Sequence, residues 1–315
     1  MQLHSALGLK QELDEVFASQ TRDGGPYRRR FALGVAPGAR PLDYALAVRA
    51  PSPEELGQEE LDVIAARSSG EIDLRYVGEI TPLGHVRMAA SAARLGVGGS
   101  VAHHRCSAGT LGFFARNGDG IQGFVSNNHV IAVVDEGEDG DEIVCPAPID
   151  GGVRPRDVIA HLDGNYPKVK RARPRIDCAF ARLIAPIDFD PLALDGGGRL
   201  SVETVLPEEH PDVWKIGRTT GATYGRITAF ALDHVEVDFG RWALKFDGQI
   251  EIQSADGKPF SRGGDSGSLV FSRHGNHPVG LLFAASVMGG KNNAGLTYAN
   301  SIDEVLTALG VTFVV

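Results

Sequence analysis

From Thr110 onward the chain is cut into short apolar runs by turn residues, and this limits what it can fold into more than any other feature. Segments 111–115, 122–126, 158–162, 178–183, 213–216 and 226–229 each read as a strand, followed by 235–238, 249–252, 268–271 and 279–283. These runs are too short for helices that bury a face, and the residues between them are rich in glycine, proline, asparagine and aspartate. Forty glycines and seventeen prolines are spread along the whole length, which disfavours a helical bundle or a disordered tail. The pattern predicts a mainly β architecture, a barrel or a sandwich, closed by a terminal helix over 302–309.

The first 85 residues read differently. Leu9, Leu13, Val16 and Phe17 fall at helical spacing, while 31–35, 44–48 and 74–77 look like short strands. Ser52-Pro53-Glu54-Glu55 has the form of a capping box, with proline at the first helical position, and predicts a helix through about Ala66. Pro82-Leu83-Gly84 and the small residues up to Gly99 read as a connector. The expected organisation is a small α/β domain over 1–85 and a larger β domain over 86–315.

Bulk properties exclude several classes. A net charge of −9 gives no global attraction to nucleic acid or to an anionic membrane, so neither partner is expected. No apolar run approaches membrane-spanning length, and the first residues carry no signal core. Three widely spaced cysteines, Cys106, Cys145 and Cys178, fit reduced thiols better than a disulfide framework or a zinc site. The expectation is a cytoplasmic protein with no metal and no cofactor. The acidic run from Asp135 to Glu142 has Gly137 where a calcium loop needs an oxygen ligand, and reads as a solvated loop.

One run carries chemistry. Gly263-Gly264-Asp265-Ser266-Gly267-Ser268 holds a serine between glycines just before an apolar strand. A hydroxyl becomes a nucleophile only beside a base, and the oxyanion it generates needs preorganised donors. The N–H groups of Gly264 and Ser266 are placed to supply them. A glycine-rich hairpin turn with an incidental serine is the plain alternative. Too little chain follows Ser266 for an α/β-hydrolase, and the final glycine of G-x-S-x-G is missing, so a base should precede the serine.

Among ten histidines, His129 follows the strand Phe124-Val125-Ser126 and the polar pair Asn127-Asn128, at a strand end. The adjacent His103 and His104, and His274 and His277 near the serine, read as surface residues. Asp177 opens the apolar strand Cys178-Ala179-Phe180-Ala181 and is a candidate carboxylate to orient the imidazole. Each alone is equally a structural residue; their weight comes from the chain order His129, Asp177, Ser266.

That order and these contexts resemble the chymotrypsin-like, or trypsin-like, serine peptidases over residues 100–315. More narrowly, Ala108-Gly109-Thr110-Leu111-Gly112, Ser126-Asn127-Asn128-His129-Val130, Lys215-Ile216-Gly217-Arg218-Thr219-Thr220-Gly221, Gly264-Asp265-Ser266-Gly267-Ser268 and Gly280-Leu281-Leu282-Phe283-Ala284 resemble the Narrow Leaf-type peptidases of plants and bacteria. The resemblance implies a chymotrypsin-like double β-barrel and a serine endopeptidase acting on protein or peptide substrates. It implies that His129, Asp177 and Ser266 form the triad, that Gly264 and Ser266 form the oxyanion hole, and that Phe283, Ala284 and Ala285 line the cleft near Phe260. Val130 stands where secreted trypsins carry a disulfide cysteine. No acidic residue stands at the pocket positions, so small or apolar side chains are expected ahead of lysine or arginine. Arg262 is a candidate partner for Asp265. Two other functions stay open: a silent protease-like binding module, and a self-processing or partner-activated peptidase in which the N-terminal unit covers the cleft or the basic segment 168–175 is cut.

Overall fold

The computed structural model describes residues 1–22, 29–83, 95–171, 173–196 and 198–315. The N-terminal unit comprises α1 (Leu3–Arg22), β1 (Ala32–Pro37), β2 (Tyr44–Ala50), α2 (Gln58–Ser68), β3 (Ile72–Tyr76) and β4 (Ile80–Pro82). The first β unit contains β5 (Ser100–His103), β6 (Gly109–Thr110), β7 (Phe113–Asn117), β8 (Gln122–Ser126), the helical turn α3 (Asn128–Ile131), β9 (Glu142–Val144), β10 (Val158–Leu162) and β11 (Ala179–Leu183). The second contains β12 (Asp212–Gly217), β13 (Gly221–Asp233), β14 (Val235–Asp238), β15 (Ala243–Phe246), β16 (Gln249–Ser254), β17 (Leu269–Ser272), β18 (Pro278–Ser286) and β19 (Thr297–Ser301). The helix α4 (Ile302–Leu309) then leads to β20 (Val311–Phe313), which returns to β7.

The chain is a mainly β protein with the chymotrypsin-like arrangement of two barrels. In the second unit β12, β17, β18, β19, β16 and β13 pair in that order, and β12 pairs again with β13, closing the barrel. The first unit is a curled half-barrel ordered β20-β7-β8-β11-β10-β9-β5-β6. Its core holds Phe113, Phe114, Phe124 and Phe180, all buried. Each such ring stabilises the fold by about 1.5–3 kcal/mol relative to exposure.

The N-terminal strands continue the second barrel's sheet. β1 pairs antiparallel with β13, matching Leu33 to Asp233 and Val35 to Phe230, and β2 and β3 extend it outward. Arg49 on β2 fixes the seam through a buried ion pair to Glu251 on β16 at 2.7 Å, and Tyr298 hydrogen-bonds the same carboxylate at 3.2 Å. The expected boundary near residue 85 lies outside the described residues.

Local readings changed in three places. The capping-box segment forms only a 3-10 turn, Pro53–Glu55, and α2 starts at Gln58 with Gly57 as its N-cap. Between them Leu56 is extended and buried in the N-terminal core, which draws the chain out of helical geometry. The acidic run also does more than face solvent. Asp135 accepts hydrogen bonds from Asn128 Nδ2 and the Val169 and Lys170 N–H groups, and Asp139 pairs with Arg182. The connector at Pro82 is, finally, a strand: β4 pairs antiparallel with β18.

Candidate active site

Strand register brings the first two candidate residues together. β8 ends at Ser126 and β11 begins at Ala179, and these two residues are antiparallel partners. Whatever follows β8 and precedes β11 must therefore share one end of the barrel. His129 sits in α3 just beyond that end, and Asp177 lies opposite. The Asp177 carboxylate is 2.6 Å from His129 Nδ1 and accepts the His129 backbone N–H at 3.2 Å. It is fully buried, with its own backbone held on both sides: Asn127 Nδ2 donates to its carbonyl at 2.6 Å and its N–H donates to Asn300 Oδ1 at 3.0 Å. Gln249 Oε1 in turn accepts from Asn300 Nδ2 at 2.7 Å.

Ser266 reaches the same point from the second barrel. Its Oγ is 2.8 Å from His129 Nε2 and 3.3 Å from the Phe283 carbonyl. The Thr110 N–H donates to the Ser266 carbonyl at 2.7 Å, stitching the two β units at the serine. Gly267, at φ +91°, has no room for a side chain: a Cβ would stand 2.2 Å from Ser126 Oγ.

The turn before the serine is held by two threonines. Thr219 Oγ1 donates to the Gly263 carbonyl at 2.6 Å and Thr110 Oγ1 to the Gly264 carbonyl at 2.8 Å. The Gly264 N–H donates to the Leu83 carbonyl at 3.1 Å. Gly264 has φ +93°, and a Cβ there would meet Thr219 Oγ1 at 2.5 Å, so only glycine fits.

Asp265 is held from within. Its carboxylate accepts the N–H groups of Thr219 at 2.8 Å and Thr220 at 3.1 Å, Thr220 Oγ1 at 2.7 Å and the Arg262 N–H at 2.9 Å. Its cation is Lys215 from β12 at 3.4 Å, with both side chains fully buried. Arg262 thus contributes its backbone. Burial pulls the Lys215 ammonium below the usual lysine range, and Asp265 opposes that pull. Arg218 is buried and paired with Asp150, its Nε 2.7 Å from the carboxylate.

Two sulfur and imidazole groups near the site are not part of this chain of contacts. Cys106 lies against the His129 carbonyl at 3.6 Å, but burial pushes its thiol up to about 12, which keeps it protonated and poorly nucleophilic. His103, expected on the surface, is buried and 3.0 Å from Asp141.

The cleft residues also have defined places. Phe283 and Ala284 are buried in β18, Ala285 is partly buried, and Ala284 and Ala285 pair with Pro82 and Thr81. Phe260 is buried, its carbonyl accepting from Thr223 Oγ1 at 2.7 Å, with Lys215 Nζ 5.8 Å from its ring. A groove of about 600 Å³ runs past His129, lined by Thr81, Pro82, Leu83, Ser107, Ala108 and Phe239 among others. The His129 ring meets Phe239 edge-on at 6.0 Å. Sequence reasoning missed Asn127, Asn300, Lys215 and the occupant at Leu83. Asn127 and Lys215 lie inside quoted motifs, and Asn300 falls in a segment with no strand reading; the partners of all three are remote in sequence.

A closed barrel and a curled half-barrel, with His129, Asp177 and Ser266 where they meet, match the mainly β chymotrypsin-like fold. The chain is similar to Thermobifida fusca protease A, at 19% identity and a TM-score of 0.49, covering 70% of this chain and 97% of that one. It is similar also to a Nocardiopsis protease, at 19% identity and a TM-score of 0.47 over 69% of this chain and 97% of that one. A Cellulomonas bogoriensis chymotrypsin gives 22% identity and a TM-score of 0.47 over 70% and 97% of the two chains. No protein-family model and no curated protein matches the sequence. At these scores the likenesses add nothing to the distances within the site.

Proposed function

We propose that the protein is a serine endopeptidase of the chymotrypsin-like class, with His129, Asp177 and Ser266 as its triad. The observation that carries this reading is the unbroken chain from Asp177 to His129 at 2.6 Å and from His129 to Ser266 at 2.8 Å. His129 Nε2 takes the Ser266 proton as Oγ attacks a peptide carbonyl, and Asp177 holds the tautomer and stabilises the imidazolium. The N–H groups of Gly264 and Ser266 receive the oxyanion. His129 then protonates the leaving amine, and water releases the acyl group by the same route. Aligned contacts favour this over a silent binding module. The quoted motifs support the narrower resemblance to the Narrow Leaf-type peptidases. Phe260, with no acidic residue at the Phe260 and Phe283–Ala285 positions, supports an apolar side chain at the cleaved position, with peptides or proteins as substrates, although Asp238 also lines the groove past His129. Three free thiols support a reducing, cytoplasmic setting.

The test is hydrolysis of a peptide library by wild type, Ser266→Ala, His129→Ala and the double variant. Each single variant should lose about 10⁴-fold or more in kcat, and the double should lose little beyond either single, because the groups act as one unit. Additive losses, or activity that survives Ser266→Ala, would contradict the assignment.

A further inference from the structure

The acyl-side half of the cleft is filled by the chain itself. β4 runs antiparallel to β18 with Pro82 opposite Ala284, Thr81 opposite Ala285 and Ile80 opposite Ser286. One step further in this register puts Leu83 opposite Phe283, whose carbonyl lies 3.3 Å from Ser266 Oγ. The Leu83 carbonyl oxygen takes the Gly264 N–H at 3.1 Å, the donor aimed at a developing oxyanion. The Leu83 side chain packs against the apolar cluster that contains Phe260. Ser266 is consequently 0% exposed and the His129 side chain only 11%. A backbone ladder, a carbonyl on the oxyanion donor and an apolar side chain packed into an apolar cluster are the contacts by which a substrate of this site would be held.

We infer that the chain is its own first substrate and cuts the Leu83–Gly84 bond. This rests on the peptidase reading and names its substrate. Ser266 Oγ adds to the Leu83 carbonyl carbon while His129 takes the hydroxyl proton. The C–N bond to Gly84 breaks, and the Gly84 amine leaves with that proton. Water then attacks the Leu83 ester, His129 taking its proton and returning it to Ser266 Oγ, so that one water is consumed and Leu83 becomes a new carboxylate terminus. Gly84 and the ten residues after it lie outside the described residues, and only the acyl half of the bond enters the argument.

The alternative cleavage segment, 168–175, is tied down by its own charges. Lys170 pairs with Glu136 at 3.5 Å, Arg173 with Asp247 at 2.8 Å and Arg175 Nε with Glu304 at 3.0 Å. Cutting after Leu83 leaves the N-terminal unit in place, since β1 remains paired to β13 and Arg49 to Glu251. The product is therefore a two-chain molecule, not a shortened one.

The test is intact-mass analysis under denaturing conditions during incubation of the purified full chain, with size-exclusion chromatography in parallel. Wild type should yield 1–83 and 84–315, which elute together under native conditions, and Ser266→Ala should stay whole. Leu83→Gly, which keeps the backbone ladder and removes the side chain, should slow clipping about 10–100-fold. Leu83→Asp, which sets a carboxylate against apolar walls, should slow it by about 100-fold or more. Serine-dependent clipping at another bond, or a wild type that stays whole while Leu83→Asp reacts with a fluorophosphonate at Ser266, overturns self-cleavage and leaves the peptidase reading intact. If neither Leu83 variant reacts with the fluorophosphonate although both elute as folded protein, and wild type is not clipped, the peptidase reading fails with it.

Discussion

At the scale of single residues, the site depends on charges and carbonyls whose partners lie far along the chain. Lys215 and Asp265 form a buried pair, and the Asp265 carboxylate fastens the N–H groups of Thr219, Thr220 and Arg262 around the Ser266 turn. Lys215→Met should therefore destabilise the fold by ~3–5 kcal/mol, because it strands a buried carboxylate. Adding Asp265→Asn should recover part of the loss, giving a non-additive cycle in urea titrations; a Lys215→Met protein as stable as wild type would show that the pair does not hold the turn. Ser266, His129 and Asp177 were legible because each sits at a strand end in a recognisable local context and the three follow one order. Lys215 was not, although its motif was in view. A buried lysine is recognisable only once its counter-ion is known, and the sequence offered Asp265 the neighbouring Arg262 instead of Lys215. His103 was misread for the same reason: Asp141, the group that makes its burial tolerable, belongs to an acidic run that looked solvated.

At the scale of elements, short strands were readable from alternation and turns, whereas pairings were not. Segments 122–126, 158–162, 235–238 and 302–309 match observed elements end to end. β5, β9 and β19 escaped notice because their composition is mixed and their stability comes from neighbours on both sides. β4 is the sharpest instance, since a proline-bearing connector became a strand by docking on a distant edge. The turn between β13 and β14 carries a separate pH dependence. His234 there has φ +65°, and burial, with the charge of Arg29 adding to it, pushes its imidazole down to about 4. Between about pH 6.5, the ordinary value for the unfolded side chain, and about 4, the unfolded chain binds the extra proton, so stability falls as pH is lowered through that window. His234→Asn, which tolerates the left-handed backbone, should flatten this part of the profile, read as urea midpoints at pH 7 and pH 5. An unchanged slope would place the dependence elsewhere.

At the scale of the whole molecule, the sequence suggested two units in series, and the structure shows one sheet shared between them. The N-terminal strands extend the second barrel, and the strand that ends this unit lies along β18 beside Ser266. Composition and turn spacing were enough to reach a barrel architecture, because they act locally; the continuity of the sheet depends on the β1–β13 pairing, whose partners are about two hundred residues apart. The same topology covers Ser266, so the proposed chemistry is best tested with the covering strand displaced. The most direct measurement is therefore mass-spectrometric mapping of a fluorophosphonate adduct on the Leu83→Asp chain. A single adduct on Ser266, absent when Ser266→Ala is added, is the predicted result. A folded Leu83→Asp chain that acquires no adduct at Ser266, or acquires it equally after His129→Ala, would contradict the account.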